Sequence, residues 1–168
     1  WQTFSYGNLG EVIENIRTFA LPYDNMTYTF KMNFEYDSWN RIQSMTYPDG
    51  EVVSYDYDKG GMLKSVTGNK HGVMARYIDD IHYNEFGLKD TLWYGNGAKV
   101  CYGYDTLLRL SHLRSLDEAC SAMQDITYTY DAVGNITNMS NSAGMLPNGL
   151  GGTYDQSFSY DNLYRLSR

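Results

Sequence analysis

Cysteine, proline and basic residues are all scarce in this sequence of 168 residues, and each shortage removes a class of protein. Two cysteines, Cys101 and Cys120, stand nineteen apart in neither a C-x-x-C nor a zinc-ligand spacing, so they point to neither a redox motif nor a structural zinc site. They read as free thiols packed as small apolar groups, because a chain of this length folds without a staple, with a bridge between them as the alternative. Thirteen Lys and Arg against twenty Asp and Glu leave a net charge of −7, which removes the general attraction to phosphate that nucleic-acid binders use. Neither nucleic acid nor membrane insertion is expected: no run approaches the roughly 18 apolar residues of a membrane helix. No basic-then-apolar leader is visible, and a first residue of Trp1 reads as an excerpt from a longer chain.

Aromatic residues are plentiful, with 17 Tyr, 6 Phe and 3 Trp, and 42% of the chain is apolar, so a folded domain is expected rather than a disordered tail. Eight of the 17 tyrosines are followed directly by Asp, which points to an internal period. With Tyr6, Tyr36, Tyr57, Tyr83, Tyr104, Tyr130 and Tyr160 as anchors, the spacings are 30, 21, 26, 21, 26 and 30. Two residues before each anchor stand Phe4, Phe34, Tyr55, Ile81, Tyr102, Tyr128 and Phe158. One residue after come Gly7, Asp37, Asp58, Asn84, Asp105, Asp131 and Asp161; four after come Gly10, Asn40, Gly61, Gly87, Leu108, Gly134 and Tyr164. Six after come Val12, Ile42, Leu63, Lys89, Leu110, Ile136 and Leu166.

Each column has a physical meaning. Residues two apart on a strand share a face, so the aromatic-x-Tyr pair presents two large side chains to one side. An Asp followed three residues later by Gly is a turn: the carboxylate accepts local backbone N–H groups and the Gly takes a positive φ. The expected turn residues are Asp37, Asp58, Gly61, Asn84, Gly87, Asp105, Asp131, Gly134 and Asp161. The apolar residue two past the Gly begins a return strand, and each unit is a β-hairpin. Second turns at Tyr47–Gly50 and Tyr94–Gly97 join return strands to the next anchor strand, giving an antiparallel meander of about seven hairpins.

Some copies depart from the pattern. Leu108 and Tyr164 would cost about 1–2 kcal/mol in the left-handed region and are expected in looser turns of another type. Lys89 in an apolar column marks either a solvent-facing position or a one-residue register shift. Ser115 to Asp125 reads as a short helix, with Ser115 as cap and Leu116, Cys120 and Met123 at helical spacing. Ser140 to Thr153 has turn residues without periodicity and is expected to be a mobile loop.

Tyr-x-Tyr-Asp-x-x-Gly-x-Ile at Tyr128 to Ile136, Tyr55 to Leu63 and Phe34 to Ile42 resemble the YD repeat of RHS-type proteins. That family includes bacterial RHS and wall-associated toxins, the shell-forming component of insecticidal toxin complexes, and teneurins. The resemblance implies an all-β curved sheet forming part of a hollow shell, which in the toxins encloses a C-terminal effector, and a secreted or cell-surface location. The Asp-Pro motif of the family's self-cleaving region is absent, since Pro22, Pro48 and Pro147 follow Leu, Tyr and Leu; no autoproteolysis is assigned.

The residues support no enzyme. His71, His82 and His112 have no metal spacing and no nucleophile motif beside them, and read as strand histidines. Paired Asp residues such as Asp56 and Asp58 read as turn acceptors rather than a calcium cage. No cofactor is expected. The whole of 1–168 reads as one repeat array whose partners are the rest of its parent chain, an enclosed effector domain, and other copies through sheet edges. The alternative is an adhesion module that binds carbohydrate or protein through Trp39, Trp93 and Tyr94, of which Trp39 and Trp93 fit the ladder least well.

Overall fold

The computed structural model describes residues 1–168 apart from Asp24, 146–148, Leu150 and Arg168. Its elements are β1 (Gln2–Tyr6), β2 (Val12–Leu21), β3 (Met26–Tyr36), β4 (Ile42–Thr46), β5 (Val52–Tyr57), β6 (Leu63–Lys70) and β7 (Val73–Tyr83). They continue with β8 (Lys89–Tyr94), β9 (Lys99–Tyr104), β10 (Leu110–Leu116), β11 (Ala122–Tyr130), β12 (Ile136–Asn141) and β13 (Tyr154–Ser157). The 13 strands follow chain order in one antiparallel sheet. Two compact units divide the chain, Trp1–Asp79 and Asp80–Arg168, with the division inside β7.

Within each unit the anchor tyrosine ends one strand and the return strand pairs back on it. Tyr6 lies opposite Val12 while Ser5 lies opposite Glu14, so Ile13 is an extra residue, a β-bulge. The same bulge recurs where Tyr36 faces Ile42 but Glu35 faces Ser44, and where Tyr57 faces Leu63 but Asp56 faces Ser65. In the second unit Tyr104 faces Leu110 while Gly103 faces His112, and Tyr130 faces Ile136 while Thr129 faces Asn138. The last anchor, Tyr160, makes a single bridge to Leu166.

Alternation then sorts the side chains. One face carries the anchors and the residues in register with them; Val53, Val66, Ile81, Leu92 and Ile126 on it are each 7% exposed or less. The other face is polar, with cross-strand pairs Ser5–Glu14, Ser44–Glu35, Ser65–Asp56 and Thr129–Thr137. No large side chain among the described residues is fully buried, as a sheet without a covering layer requires.

Four expectations meet the structure here. Ser115 to Asp125 is not a helix: Ser115 and Leu116 end β10, and β11 starts at Ala122. Between them Cys120 N–H donates to Asp117 O (3.0 Å), Asp117 N–H to Ser121 O (3.0 Å), and Cys120 takes φ 64°. This three-residue loop closing on a left-handed residue repeats the turns at Tyr47 and Tyr94. The helical spacing of Leu116 and Met123 came from two antiparallel strands lying side by side. The longer anchor spacings come from longer hairpins, as in β2 and β3 of 10 and 11 residues.

Leu108 and Tyr164 do not occupy a different turn. They take φ 61° and 60° and donate to Asp105 O and Asp161 O at 2.9 Å, as Gly61 donates to Asp58 O at 3.0 Å. The two-strand constraint holds the conformation against its local cost. Lys89 is exposed to solvent, and its carbonyl accepts the Tyr104 hydroxyl as the carbonyl of the apolar residue does in other copies. Part of the Ser140–Thr153 segment, namely 146–148 and Leu150, lies outside the described residues. The rest is tied to the sheet by Asn141, 4% exposed. Its amide donates to Gly152 O (2.8 Å) and accepts from Asp125 N–H (2.8 Å).

Candidate functional site

The recurring chemistry of this chain lies in the turn and in what joins one hairpin to the next. Asp37 Oδ1 accepts the N–H groups of Trp39 (2.9 Å) and Arg41 (3.0 Å). Asp58, Asp105, Asp131 and Asp161 do the same for the residues two and four further on. Asn84 makes the same two bonds with an amide oxygen, both 3.0 Å, so the turn needs an acceptor and not a charge. Gly61, Gly87 and Gly134 close these turns at φ 84°, 75° and 99°. The first copy solves the problem differently. Gly7 has no acceptor, and Glu11 reaches back to accept the Leu9 N–H at 2.9 Å. A Cβ on Gly7 would lie 2.0 Å from a Glu11 carboxylate oxygen, so Glu11 fills the place of the missing Asp side chain.

The second carboxylate oxygen takes a cation or an amide. Arg41 Nε and Arg109 Nε each donate to the Oδ2 of their turn Asp at 2.7 Å, as does Arg165, while Asn135 does so with its side-chain amide at 2.8 Å. The backbone N–H groups of Arg41, Arg109 and Arg165, helped by their guanidinium groups, hold Asp37, Asp105 and Asp161 below the ordinary carboxylate range. For Asp131 the Asn135 amide is the main cause. Two of these arginines lie over the anchor ring of the following hairpin: Arg41 is 4.1 Å from the Tyr57 centroid and Arg109 is 4.5 Å from that of Tyr130.

The anchor hydroxyl completes the connection. Tyr36 donates to Val12 O (2.8 Å), Tyr57 to Ile42 O (2.8 Å), Tyr104 to Lys89 O (2.9 Å), Tyr130 to Leu110 O (2.6 Å) and Tyr160 to Ile136 O (2.9 Å). Every acceptor stands six residues after the preceding anchor, and Val12, Ile42, Leu110 and Ile136 come immediately before the bulge that interrupts the ladder. The phenol is therefore a lock between consecutive hairpins, which explains why Tyr rather than Phe fills the column. Sequence reasoning found the column but not the lock; the signal available was the Arg recurring five residues after an anchor, at Arg41, Arg109 and Arg165.

The other candidates are placed as follows. Trp39 sits at a hairpin tip, 67% exposed, with the Arg41 guanidinium 4.7 Å from its ring. Trp93 is half-buried against His82, ring centroids 4.6 Å apart. Tyr94 follows it on β8 and so faces the other way, toward a groove with Val100, Met123 and Tyr154. Trp93 and Tyr94 therefore make no common platform. His82 lies 3.2 Å from Asp80 and His112 2.5 Å from Asp125, while exposed His71 is in the β6–β7 turn rather than on a strand. Cys101 and Cys120 are free thiols. Among the described residues no three His, Cys, Asp or Glu side chains converge on a metal-sized site.

Known proteins carry the same architecture. Residues 36–72 match the family model described as RHS Repeat. Toxin subunit YenC1 of Yersinia entomophaga is 29% identical over 133 residues, covering 70% of this chain and 13% of that protein. Among solved structures, the crystal structure of TcdB2-TccC3-Cdc42 superposes with a TM-score of 0.85 at 20% identity, over 98% of this chain and 9% of that one. The Photorhabdus luminescens Tc holotoxin pore gives 0.84 at 20%, with the same coverage. The chain thus spans about a tenth of the length of the proteins it matches. Residues 36–72 therefore match the RHS repeat, and the chain as a whole is similar in sequence to a toxin subunit and folded like part of toxin-complex chains.

Proposed function

We propose that residues 1–168 are one continuous piece of wall in a larger secreted or cell-surface protein, serving to enclose or present another domain and performing no chemistry themselves. The observation that carries this reading is the use made of the motif. Its Tyr, Asp, Gly and Arg positions are spent on closing turns and joining hairpins, with the phenol of one hairpin bonded to the backbone of the one before. The partners on this reading are neighbouring segments of the same polypeptide and a domain they surround.

A segment exchange tests it. The equivalent repeats of a toxin-complex subunit such as YenC1 are deleted, or replaced by these 168 residues, and protease digestion of the subunit's C-terminal region is followed. The exchange is expected to slow digestion to the rate of the unmodified subunit, whereas the deletion leaves the region accessible. A soluble, folded exchange protein whose C-terminal region is cut as fast as in the deletion would contradict an enclosing role.

A further inference from the structure

The turn between β8 and β9 brings together the parts of a reaction of the chain upon itself. Its sequence is Tyr94-Gly95-Asn96-Gly97, with Asn96 exposed at the tip. Ala98 N–H donates to Asn96 Oδ1 (3.1 Å), which folds the carboxamide back over the peptide bond to Gly97. Asn96 Cγ is thereby kept beside the Gly97 nitrogen, an arrangement from which that nitrogen can close a five-membered ring. The Ala98 N–H also stands where negative charge develops on Oδ1 as such a ring closes.

The next turn supplies a base. Gly97 holds φ 82°, and a Cβ there would lie 2.8 Å from Glu118 Cγ and 3.3 Å from Glu118 Cδ. Glycine is therefore favoured at 97, no side chain shields its nitrogen, and the Glu118 carboxylate from the β10–β11 turn is set against the same residue. The corresponding turn Tyr47-Pro48-Asp49-Gly50 already carries an acid. Asp49 Oδ1 accepts the Glu51 N–H (3.2 Å) as Asn96 Oδ1 accepts that of Ala98. Its other oxygen takes Lys70 Nζ (2.5 Å), and a Cβ on Gly50 would meet His71 at 3.6 Å rather than a carboxylate. An aspartate thus fits the place that Asn96 holds.

We propose that Asn96 is a site of spontaneous deamidation, with Glu118 as its base. The Gly97 nitrogen attacks Asn96 Cγ, so a Cγ–N bond forms and the Cγ–Nδ2 bond breaks. The Gly97 proton passes through the Glu118 carboxylate to Nδ2, which leaves as ammonia. Water then opens the cyclic imide at either carbonyl, giving aspartate or isoaspartate at position 96. At rest the Gly97 N–H is bonded to Tyr94 O (3.0 Å), and the need to open that bond keeps the reaction slow. The aspartate product stands beside Glu118 where Asp49 has Lys70, so the turn gains a repulsion between like charges. The reaction consumes the chain's own side chain and no outside substrate, and it does not depend on the enclosing role.

The purified chain, held in mildly alkaline buffer at physiological temperature, is sampled over time by anion-exchange chromatography and peptide mapping. A species with one more negative charge is expected to accumulate, carrying aspartate and isoaspartate at position 96. Mapping separates it from conversion at the other Asn-Gly pair, which begins at Asn148, outside the described residues. Glu118→Gln keeps the side-chain shape and removes the base, and is expected to slow conversion at position 96 about tenfold, below the range of a fully positioned base. In urea, where the turn is lost, parent and variant are expected to convert at the same rate. An Asn96 that persists unchanged, conversion as fast in Glu118→Gln as in the parent, or a difference between the two that survives in urea would each overturn the inference. Glu118 is exposed at a turn, and thermal unfolding matching the parent chain certifies the variant as folded.

Discussion

The turn Asp has two separable roles. Its Oδ1 satisfies two backbone N–H groups that would otherwise lack a partner at the hairpin end, and Asn84 shows that a neutral amide does this equally well. Its charge serves the second oxygen and the Arg. Asp105→Asn should therefore keep the turn, whereas Asp105→Ala should lower the midpoint of thermal unfolding more. The carboxyl of Asp105 is held below its ordinary value of 3.8, mainly by the Arg109 N–H. A depressed folded-state pKa contributes stability that is present above that ordinary value and is lost as pH falls through the folded one. Thermal melts in acid should show a shallower loss of stability for Asp105→Asn than for the parent chain below that pH; equal slopes would mean that the carboxylate charge is idle.

Much at this scale was legible from spacing alone. Asp or Asn after the anchor and Gly three further on specify a turn because acceptor geometry and positive φ are local requirements. Glu11 was not legible, since a Glu four residues after Gly7 acquires its role only when the hairpin closes and brings its carboxylate into the empty place. The Arg–Tyr stacking and the phenol–carbonyl bond were hidden for a related reason. They join residues 15 to 24 positions apart whose adjacency is set by strand register. Trp39 and Trp93 stood out as misfits to the ladder, and Tyr94 joined them as a candidate contact. The structure gives two of them protein neighbours, Arg41 for Trp39 and His82 for Trp93, and sets Tyr94 in a groove.

At the scale of the element, the hairpin overrides local preference. Leu108 holds φ 61° where Gly61 and Gly134 hold 84° and 99°, so the strands impose the turn on a residue ill suited to it. Leu108→Gly should raise stability by up to about 1 kcal/mol, with a higher midpoint in chemical denaturation and an unchanged denaturant slope. A lower midpoint would mean that the Leu side chain, 43% exposed, contributes more than its backbone strain costs. The same dominance explains why Ser115 to Asp125 misled. Leu116, Cys120 and Met123 fall at helical spacing by coincidence, and a capping Ser with early acids cannot outweigh two strands whose neighbours are already in place. The period of 21 with longer intervals was correctly visible as repeat plus insertion. What the insertions become was not, because extending both arms of a hairpin leaves no mark beyond length.

For the molecule, the consequence is an array in which each hairpin is completed by the next. Among the described residues few side chains are buried and no large one is fully so, and cohesion therefore depends on bonds between neighbours rather than on a central core. The sequence pattern carried the strand order almost entirely, since short turns leave consecutive strands no choice but to pair. The bulge before each lock was not foreseeable from the columns. It requires knowing that Tyr130 pairs with Ile136 and that the register then skips to Thr129 against Asn138. With the bulge in place the repeat has a mechanical meaning: the ladder is interrupted where the next phenol arrives.

Amide hydrogen exchange on Tyr130→Phe tests this lock most directly, because the substitution removes one oxygen bonded to Leu110 O at 2.6 Å and leaves the ring under Arg109. If hairpins are completed by their successors, amides of both β10 and β11 should exchange about fivefold faster, the worth of one hydrogen bond, while those of β4 and β5 change less. Exchange unchanged in β10, with loosening confined to β11 or absent altogether, would contradict the account.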